Sequence, residues 1–341
     1  MWTRLQALPP YPGGKRKLLG AIFKHLPPPS QAPVFVDAFL GGGAVSLFAR
    51  ARGYRVLCND LALRSHIVGE ALIENDRVTL SREDIARLFI PRANPTGFVE
   101  EHFAPSVVTT AYARFLDTAF LNARDTRGAR RVLLLLLLQK LILRLRPMGN
   151  FGARTIVEQA ERGAWEAMNP NYVREMIASG VADHPRPVLE RLRAQVNRGI
   201  FSNGHESAAT RGDVFDFLAS AEGDIVYLDP PYAGTQSYER ALYPLDCILE
   251  GRMLPRASST FSHSVEQLDP LLEAVAHIPL CVLSYGNTRI DLDKLTERVR
   301  RHGREIVSAE AIRHAHLTGL SSSEHRRDNR ELLIVSRRRE R

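Results

Sequence analysis

An aspartate, two prolines and a tyrosine, Asp229-Pro230-Pro231-Tyr232, follow the apolar run Ile225-Val226-Tyr227-Leu228. That run reads as a buried strand. The four residues therefore stand at a strand's carboxyl end, where open α/β sheets carry their chemistry. Their types suit a flat ring bearing an amine. The lone pair of a base's exocyclic amino group is delocalised into the ring, which makes it a poor nucleophile. Acceptors aimed at both N–H bonds help to localise that pair. The Asp229 carboxylate and the Pro230 carbonyl are candidate acceptors, and the prolines stiffen the backbone that presents them. Tyr232 offers a face to stack on a base. The bland alternative is a strand that ends in a proline turn; the catalytic reading is the stronger of the two.

Two further segments offer ligand chemistry. In Asp37-Ala38-Phe39-Leu40-Gly41-Gly42-Gly43, glycines after a strand allow a sharp turn and close approach of a ligand to the backbone. Taken alone, the turn serves a ligand or a plain chain reversal equally well. It is not a dinucleotide fingerprint, because Ser46 stands where the third glycine would fall. Asp60, about 20 residues on, ends the next strand, as acids that bind ribose hydroxyls do; it could equally cap a helix starting at Leu61. In Tyr11-Pro12-Gly13-Gly14-Lys15, Lys15 could hold a carboxylate while Tyr11 packs on a flat or apolar group. By itself that segment would read as a solvated turn.

The elements that position these residues follow from pattern. Residues 34–39 read as a strand, the glycines as a turn, and a helix runs to about Arg52. Residues 55–59 are a second strand. From about Leu61 to His205 the chain reads mostly as helices. After Ser207 α/β alternation returns: a helix opened by Asp213, the strand Ile225–Leu228, a helix over 264–277, a strand over 280–285, a helix over 291–301 and a last strand over 332–336. The expected fold is α/β, a Rossmann-like sheet with helices on both faces. A mostly helical insertion splits it, with residues 1–61 and 206–341 as the sheet domain and 62–205 as the insertion.

In order, Tyr11-Pro12-Gly13-Gly14-Lys15, Asp37 to Gly43, Asn59-Asp60 and Asp229-Pro230-Pro231-Tyr232 resemble the Dam-like DNA adenine-N6 methyltransferases, which use S-adenosylmethionine. Leu283-Ser284-Tyr285 and Glu331-Leu332-Leu333-Ile334-Val335 look like later strands of that fold. The resemblance covers the sheet domain well and the insertion weakly. It implies that Tyr11 and Lys15 meet the methionine end of the cofactor, with Lys15 on its carboxylate. Asp37, Phe39, Gly41 and Gly43 would wrap it, Asp60 would bind the ribose, and Asp213 would reach the adenine edge. Asp229 would lie between methyl donor and target amine. The family often has Trp at the position of Tyr11.

The insertion supplies charge. Between residues 122 and 155 the basic residues are Arg124, Arg127, Arg130, Arg131, Lys140, Arg144, Arg146 and Arg154, against the single acid Asp125. That asymmetry suits the phosphates of double-stranded DNA. The segment around Arg146 to Gly152, with Asn150, loosely resembles the family's recognition hairpin, and an ordinary solvated turn fits it nearly as well. Arg124, Arg130, Arg131, Arg144, Arg146 and Asn150 are thus the candidate DNA contacts. The chain's formal charge of +8 agrees with a polyanionic partner but does not decide for one.

Other classes fit less well. Cytosine-C5 methylation needs a cysteine nucleophile, usually after proline, and Cys58, Cys247 and Cys281 follow Leu57, Asp246 and Leu280. Amide methylation usually has Asn in place of Asp229. Cytosine-N4 methylation uses similar chemistry and is the nearest rival. A non-catalytic DNA-binding subunit that keeps the fold is the non-enzymatic alternative. No Cys/His set has metal-ligand spacing, so no metal is expected. The run 132–138 is short of the about 18 apolar residues of a membrane span and reads as a buried helix. Residues 1–12 lack a signal-peptide core. With no disulfide framework, a cytoplasmic protein is expected, with restriction or defence components as conceivable companions.

Overall fold

The computed structural model describes residues 2–11, 13–93, 97–105, 107–145, 184–233, 241–255, 261, 263–314 and 329–339. Seven strands form one sheet: β1 (Val34–Asp37), β2 (Arg55–Asp60), β3 (Ala208–Arg211), β4 (Ile225–Leu228), β5 (Leu280–Gly286), β6 (Arg304–Arg313) and β7 (Arg330–Arg338). Their order is β3-β2-β1-β4-β5-β7-β6. β1 to β5 run parallel, and β7 runs antiparallel between β5 and β6. The α/β expectation holds.

The central strands are apolar because both faces are covered. All four residues of β4 are buried. On one face Val36, Val226, Leu228, Cys281 and Leu283 join a core with Leu218, Leu271, Leu272, Leu295 and Val299. Those five come from the helices Val214–Ser220, Leu268–Ala274 and Leu292–Arg301. Phe35, the neighbour of Val36, packs instead on Phe23 at 5.4 Å and Tyr54 at 5.9 Å, and Phe23 meets Phe48 of the helix Ala44–Ala51 at 4.8 Å.

The topology sets the place of the chemistry. From β1 the chain winds outward to β2 and β3 on one side, and from β4 to β5 on the other. The carboxyl ends of β1 and β4 therefore flank the switch point, where such sheets bind ligands. The register Asp37↔Tyr227 brings those two ends level.

The sequence pattern misses two strands, β3 and β6. β3 has four mostly exposed residues, and β6 is a charged outer strand with a register shift between Ile306 and Ser308. Both lie at sheet edges, where one side of the strand faces no partner and the apolar signature weakens. The helix expected over 264–277 is a 3-10 turn, Val265–Gln267, followed by an α-helix, Leu268–Ala274.

The chain divides into two compact units. One comprises Tyr11–Gly69, Asn203–Arg240 and Ala257–Arg341 and contains the sheet; the other comprises Met1–Pro10, Glu70–Ser202 and Ala241–Arg256. This division differs from the expected one at both ends of the insertion and in two outlying segments. The helix Leu63–Gly69 stays with the sheet because Gly69 packs where a side chain would strike Ala209 and Leu40. Residues 1–10 group with the helices, and Lys140 gives the reason. Its ammonium is buried in the helix Gly128–Leu145 and donates to the carbonyls of Gln6, Ala7 and Leu8 at 2.9, 2.8 and 2.8 Å. The leucine run of that helix is core: Leu133, Leu134 and Leu136 to Leu138 are fully buried.

Candidate active site

β4 delivers Asp229 to the switch point. The carboxylate is 19 % exposed, and each of its oxygens has a partner: Lys15 Nζ lies 2.8 Å from Oδ2, and the Tyr232 hydroxyl donates to Oδ1 at 2.9 Å. Burial pushes the Asp229 carboxyl above its ordinary pKa; Lys15 opposes the rise, and the Glu331 charge adds to it.

Tyr232 is almost fully buried. Its ring packs 5.0 Å from that of Tyr285 and lies over Gly286, where an added Cβ would come within 2.5 Å of it. Its hydroxyl sits 2.5 Å from Glu331 Oε1, which also accepts from the Ser284 hydroxyl. The ring expected to stack on a base is thus turned inward. The backbone N–H of Ala233 donates to the Tyr285 hydroxyl at 3.0 Å and ties down the end of the motif.

Lys15, expected at a ligand carboxylate, is 5 % exposed and lies against Asp229, with Glu331 at 3.6 Å. Tyr11 packs on the glycine turn: a Cβ at Gly42 would fall 2.6 Å from Tyr11 Cβ. Gly41 and Gly43 have φ of 52° and 74°, which favour glycine. The carboxylate of Asp60 pins the turn by accepting from Gly41 N at 2.8 Å, and its other oxygen accepts from Ala62 N at 2.9 Å. Both readings of Asp60, ligand acid and helix cap, therefore remain compatible with its place at the end of β2.

Asp37 closes β1. It is 1 % exposed; Oδ2 accepts from the Ser46 hydroxyl at 2.6 Å, and Oδ1 has no hydrogen-bond partner among the described residues. Its carboxyl is pushed up to about 7, first by burial and further by the charges of Asp229 and Asp60, with the Ser46 bond opposing. Phe39, at the strand end, meets Phe261 edge-on at 5.5 Å, and Phe261 stacks on Phe215 at 6.2 Å. Asp213 is exposed and caps the helix Val214–Ser220 through Phe215 N at 2.8 Å. It borders a cleft of about 430 Å³, with Leu57, Thr210, Asp216 and Phe217 among the lining residues. Asp229 does not line that cleft.

In the helical unit Arg130 and Arg131 are exposed. Arg124 is committed to its own unit: its guanidinium donates to the Leu249 carbonyl at 3.0 Å and fills the space beside Gly251. Arg144 is half-buried. Arg146 and Asn150 lie outside the described residues, as does Pro12.

Sequence reasoning missed Glu331, Ser284 and Tyr285 as site residues. Their signals were a charge at the head of one apolar strand, two hydroxyls in another, and the resemblance of both segments to later strands of the family's fold.

A parallel sheet with one reversed strand, and a glycine turn and an Asp-Pro-Pro-Tyr motif at its switch point, are consistent with a Rossmann-like methyltransferase fold. Residues 11–153 match the family described as D12 class N6 adenine-specific DNA methyltransferase. A relative named Type II methyltransferase M2.HphI, from Haemophilus parahaemolyticus, is 27% identical over 340 residues, covering 95% of this chain and 96% of that protein. The family match indicates an adenine-specific DNA methyltransferase.

Such a family generally uses S-adenosylmethionine, and the residues present fit it. Gly41 and Gly43 turn the chain at positive φ with no side chains in the way, Gly41 half-buried against Tyr11. Beneath it, Asp37 keeps a buried oxygen that has no partner among the described residues, and Asp60 stands at the end of β2.

Proposed function

We propose that the protein transfers a methyl group to N6 of an adenine flipped out of double-stranded DNA. The observation that carries this reading is the Asp229 carboxylate, held at the switch point by Lys15 and Tyr232 beside the glycine turn. S-adenosylmethionine, when bound, supplies an electrophilic methyl on a sulfonium.

The chain's own residues do the rest. Asp229 accepts one N–H of the amine and the Pro230 carbonyl the other, which turns the nitrogen lone pair outward. Lys15 and Tyr232 keep the carboxylate aimed, so that little motion is spent during reaction; holding the amine in line with the methyl is the orientation that is worth about 7–11 kcal/mol in favourable cases. Tyr11, Phe39, Gly41, Gly43 and Asp60 bind the cofactor, with Asp37 under the turn and Asp213 at its adenine edge. Lys15, placed against Asp229, steadies that carboxylate, and a hold on the cofactor's own carboxylate is the further role that the family resemblance implies for it. Arg130 and Arg131 meet phosphates. Flipping costs a few kcal/mol, and contacts of the helical unit with DNA would offset it.

All three cysteines are free and buried, in keeping with a reducing cytoplasm. Cognate restriction or defence components are its companions in this reading, in keeping with the Type II name of the relative.

The test incubates the full chain with labelled S-adenosylmethionine and mixed duplex DNA and identifies the labelled nucleoside by mass spectrometry. N6-methyladenine is expected, and its loss in Asp229→Ala by about 100-fold or more in rate. Labelled N4-methylcytosine, no labelled base, or an Asp229→Ala enzyme with wild-type rate overturns the reading.

A further inference from the structure

Glu331 is fully buried at 0 % exposure, on β7, and lies opposite Gly286 in the register with β5. Burying a carboxylate costs free energy unless it is paired and hydrogen-bonded. Here one oxygen gathers the Tyr232 hydroxyl, the Ser284 hydroxyl and, at 3.6 Å, the Lys15 ammonium. Two of these three groups are also the partners of Asp229.

We propose that Glu331 is a positioning residue for methyl transfer: it anchors the Tyr232 hydroxyl and draws in Lys15, and so sets where the Asp229 carboxylate points and how strongly it accepts. The proposal rests on the methyl-transfer reading of Asp229.

The geometry supports this in three ways. Glu331 is buried, shares Lys15 and Tyr232 with Asp229, and also acts on it through its charge. Tyr232 has one hydroxyl proton and two carboxylate oxygens within 2.9 Å, so removing either acid changes what the other receives. Gly286, opposite Glu331, leaves the space that the Tyr232 ring fills, so strand pairing and hydroxyl placement are one arrangement.

The groups that face Glu331 are Lys15 from the segment after the glycines, Tyr227 at the end of β4, Asp229 and Tyr232 of the motif, Ser284 of β5, and His314 after β6. Asp37, at the end of β1, acts on Asp229 and Tyr227. Glu331 adds negative charge near Asp229, Asp37 does so only above about pH 7, and Lys15 opposes the effect. Removing the Glu331 charge therefore lets Asp229 stay ionised to lower pH.

The experiment compares full-length wild type, Glu331→Ala and Glu331→Gln. Glu331→Ala should lower kcat about tenfold or more while KM for DNA and for S-adenosylmethionine stays within about threefold. Glu331→Gln keeps an acceptor for both hydroxyls; it should recover much of kcat and shift the acid limb of the kcat profile down by about half a pH unit or more. A role in folding alone would leave that limb in place. Equal kcat in all three proteins, or an unmoved limb in Glu331→Gln, overturns the proposal. Should Glu331→Ala fail to fold, Glu331→Gln carries the test. Should the wild type methylate no adenine, the functional reading fails. The Glu331 inference is then read from the carboxyl 13C titration of Asp229, identified by its absence in Asp229→Asn: a lower midpoint in Glu331→Gln upholds the influence on Asp229, and an unchanged one rejects it.

Discussion

Asp229 and Asp37 end neighbouring strands, yet their surroundings differ. Asp229 has a lysine and a tyrosine hydroxyl on its two oxygens, whereas Asp37 has one serine. Burial is the largest cause of the raised carboxyl at both, and at Asp37 it lifts the group from 3.8 to about 7. Below about pH 4 both folded and unfolded chains carry the proton, and the group costs nothing. From about pH 4 to about 7 the unfolded chain ionises while the folded one holds its proton, so stability falls as pH rises. Above about pH 7 the loss is complete, at roughly 4 kcal/mol. Asp37→Asn cannot ionise. Urea unfolding at pH 4.5 and pH 8 should show the mutant gaining on wild type as pH rises. Parallel stability at both values would mean that Asp37 ionises freely in the folded protein.

Helices and strands decide which distant residues share a place. The helix Gly128–Leu145 is core by its leucines, but its one buried ammonium fastens residues 6 to 8. Lys140→Met keeps much of the packing and takes the ammonium from the carbonyls of Gln6, Ala7 and Leu8, the last two buried. We expect a loss of roughly 2 kcal/mol, from about 1 kcal/mol per buried group left unsatisfied. It should appear as a lower melting temperature together with faster proteolysis within residues 1–10. Unchanged cleavage there would show that another contact holds the segment. This fastening was not legible in the sequence, where Lys140 counts simply as one more basic residue in a basic stretch. By contrast β1, β2 and β4 were legible because both faces of each are covered and the apolar run is continuous. β3 and β6 were not, because edge strands carry polar residues that pattern reading assigns to loops.

Across the molecule, charge and partner meet. Much of the basic excess falls in the stretch 122–155, and the structure sorts its described arginines into structural and exposed ones. Arg124 donates inside its own unit, while Arg130 and Arg131 face solvent. Replacing Arg130 and Arg131 with Gln should weaken DNA binding. The slope of log K against log salt should become shallower by about 0.9 for each phosphate that is no longer neutralised. Arg124→Ala should instead lower thermal stability and leave that slope nearly unchanged. If Arg124→Ala alone flattens the slope, the sorting is wrong.

Adjacency along the chain was enough to specify the chemistry. An aspartate before two prolines, glycines after a strand and an acid at the end of the next strand stand in fixed local relation wherever the chain goes, because strand, turn and helix start are local structures. What the aspartate leans on was settled in three dimensions alone. Lys15, Ser284 and Glu331 lie far from Asp229 along the chain, and the register of β5 with β7 and the switch point between β1 and β4 bring them together. Register depends on packing summed over whole strands, so no single residue announces it. For the same reason Glu331 reads in sequence as a charge at a strand's edge and proves in space to be a second acid of the site.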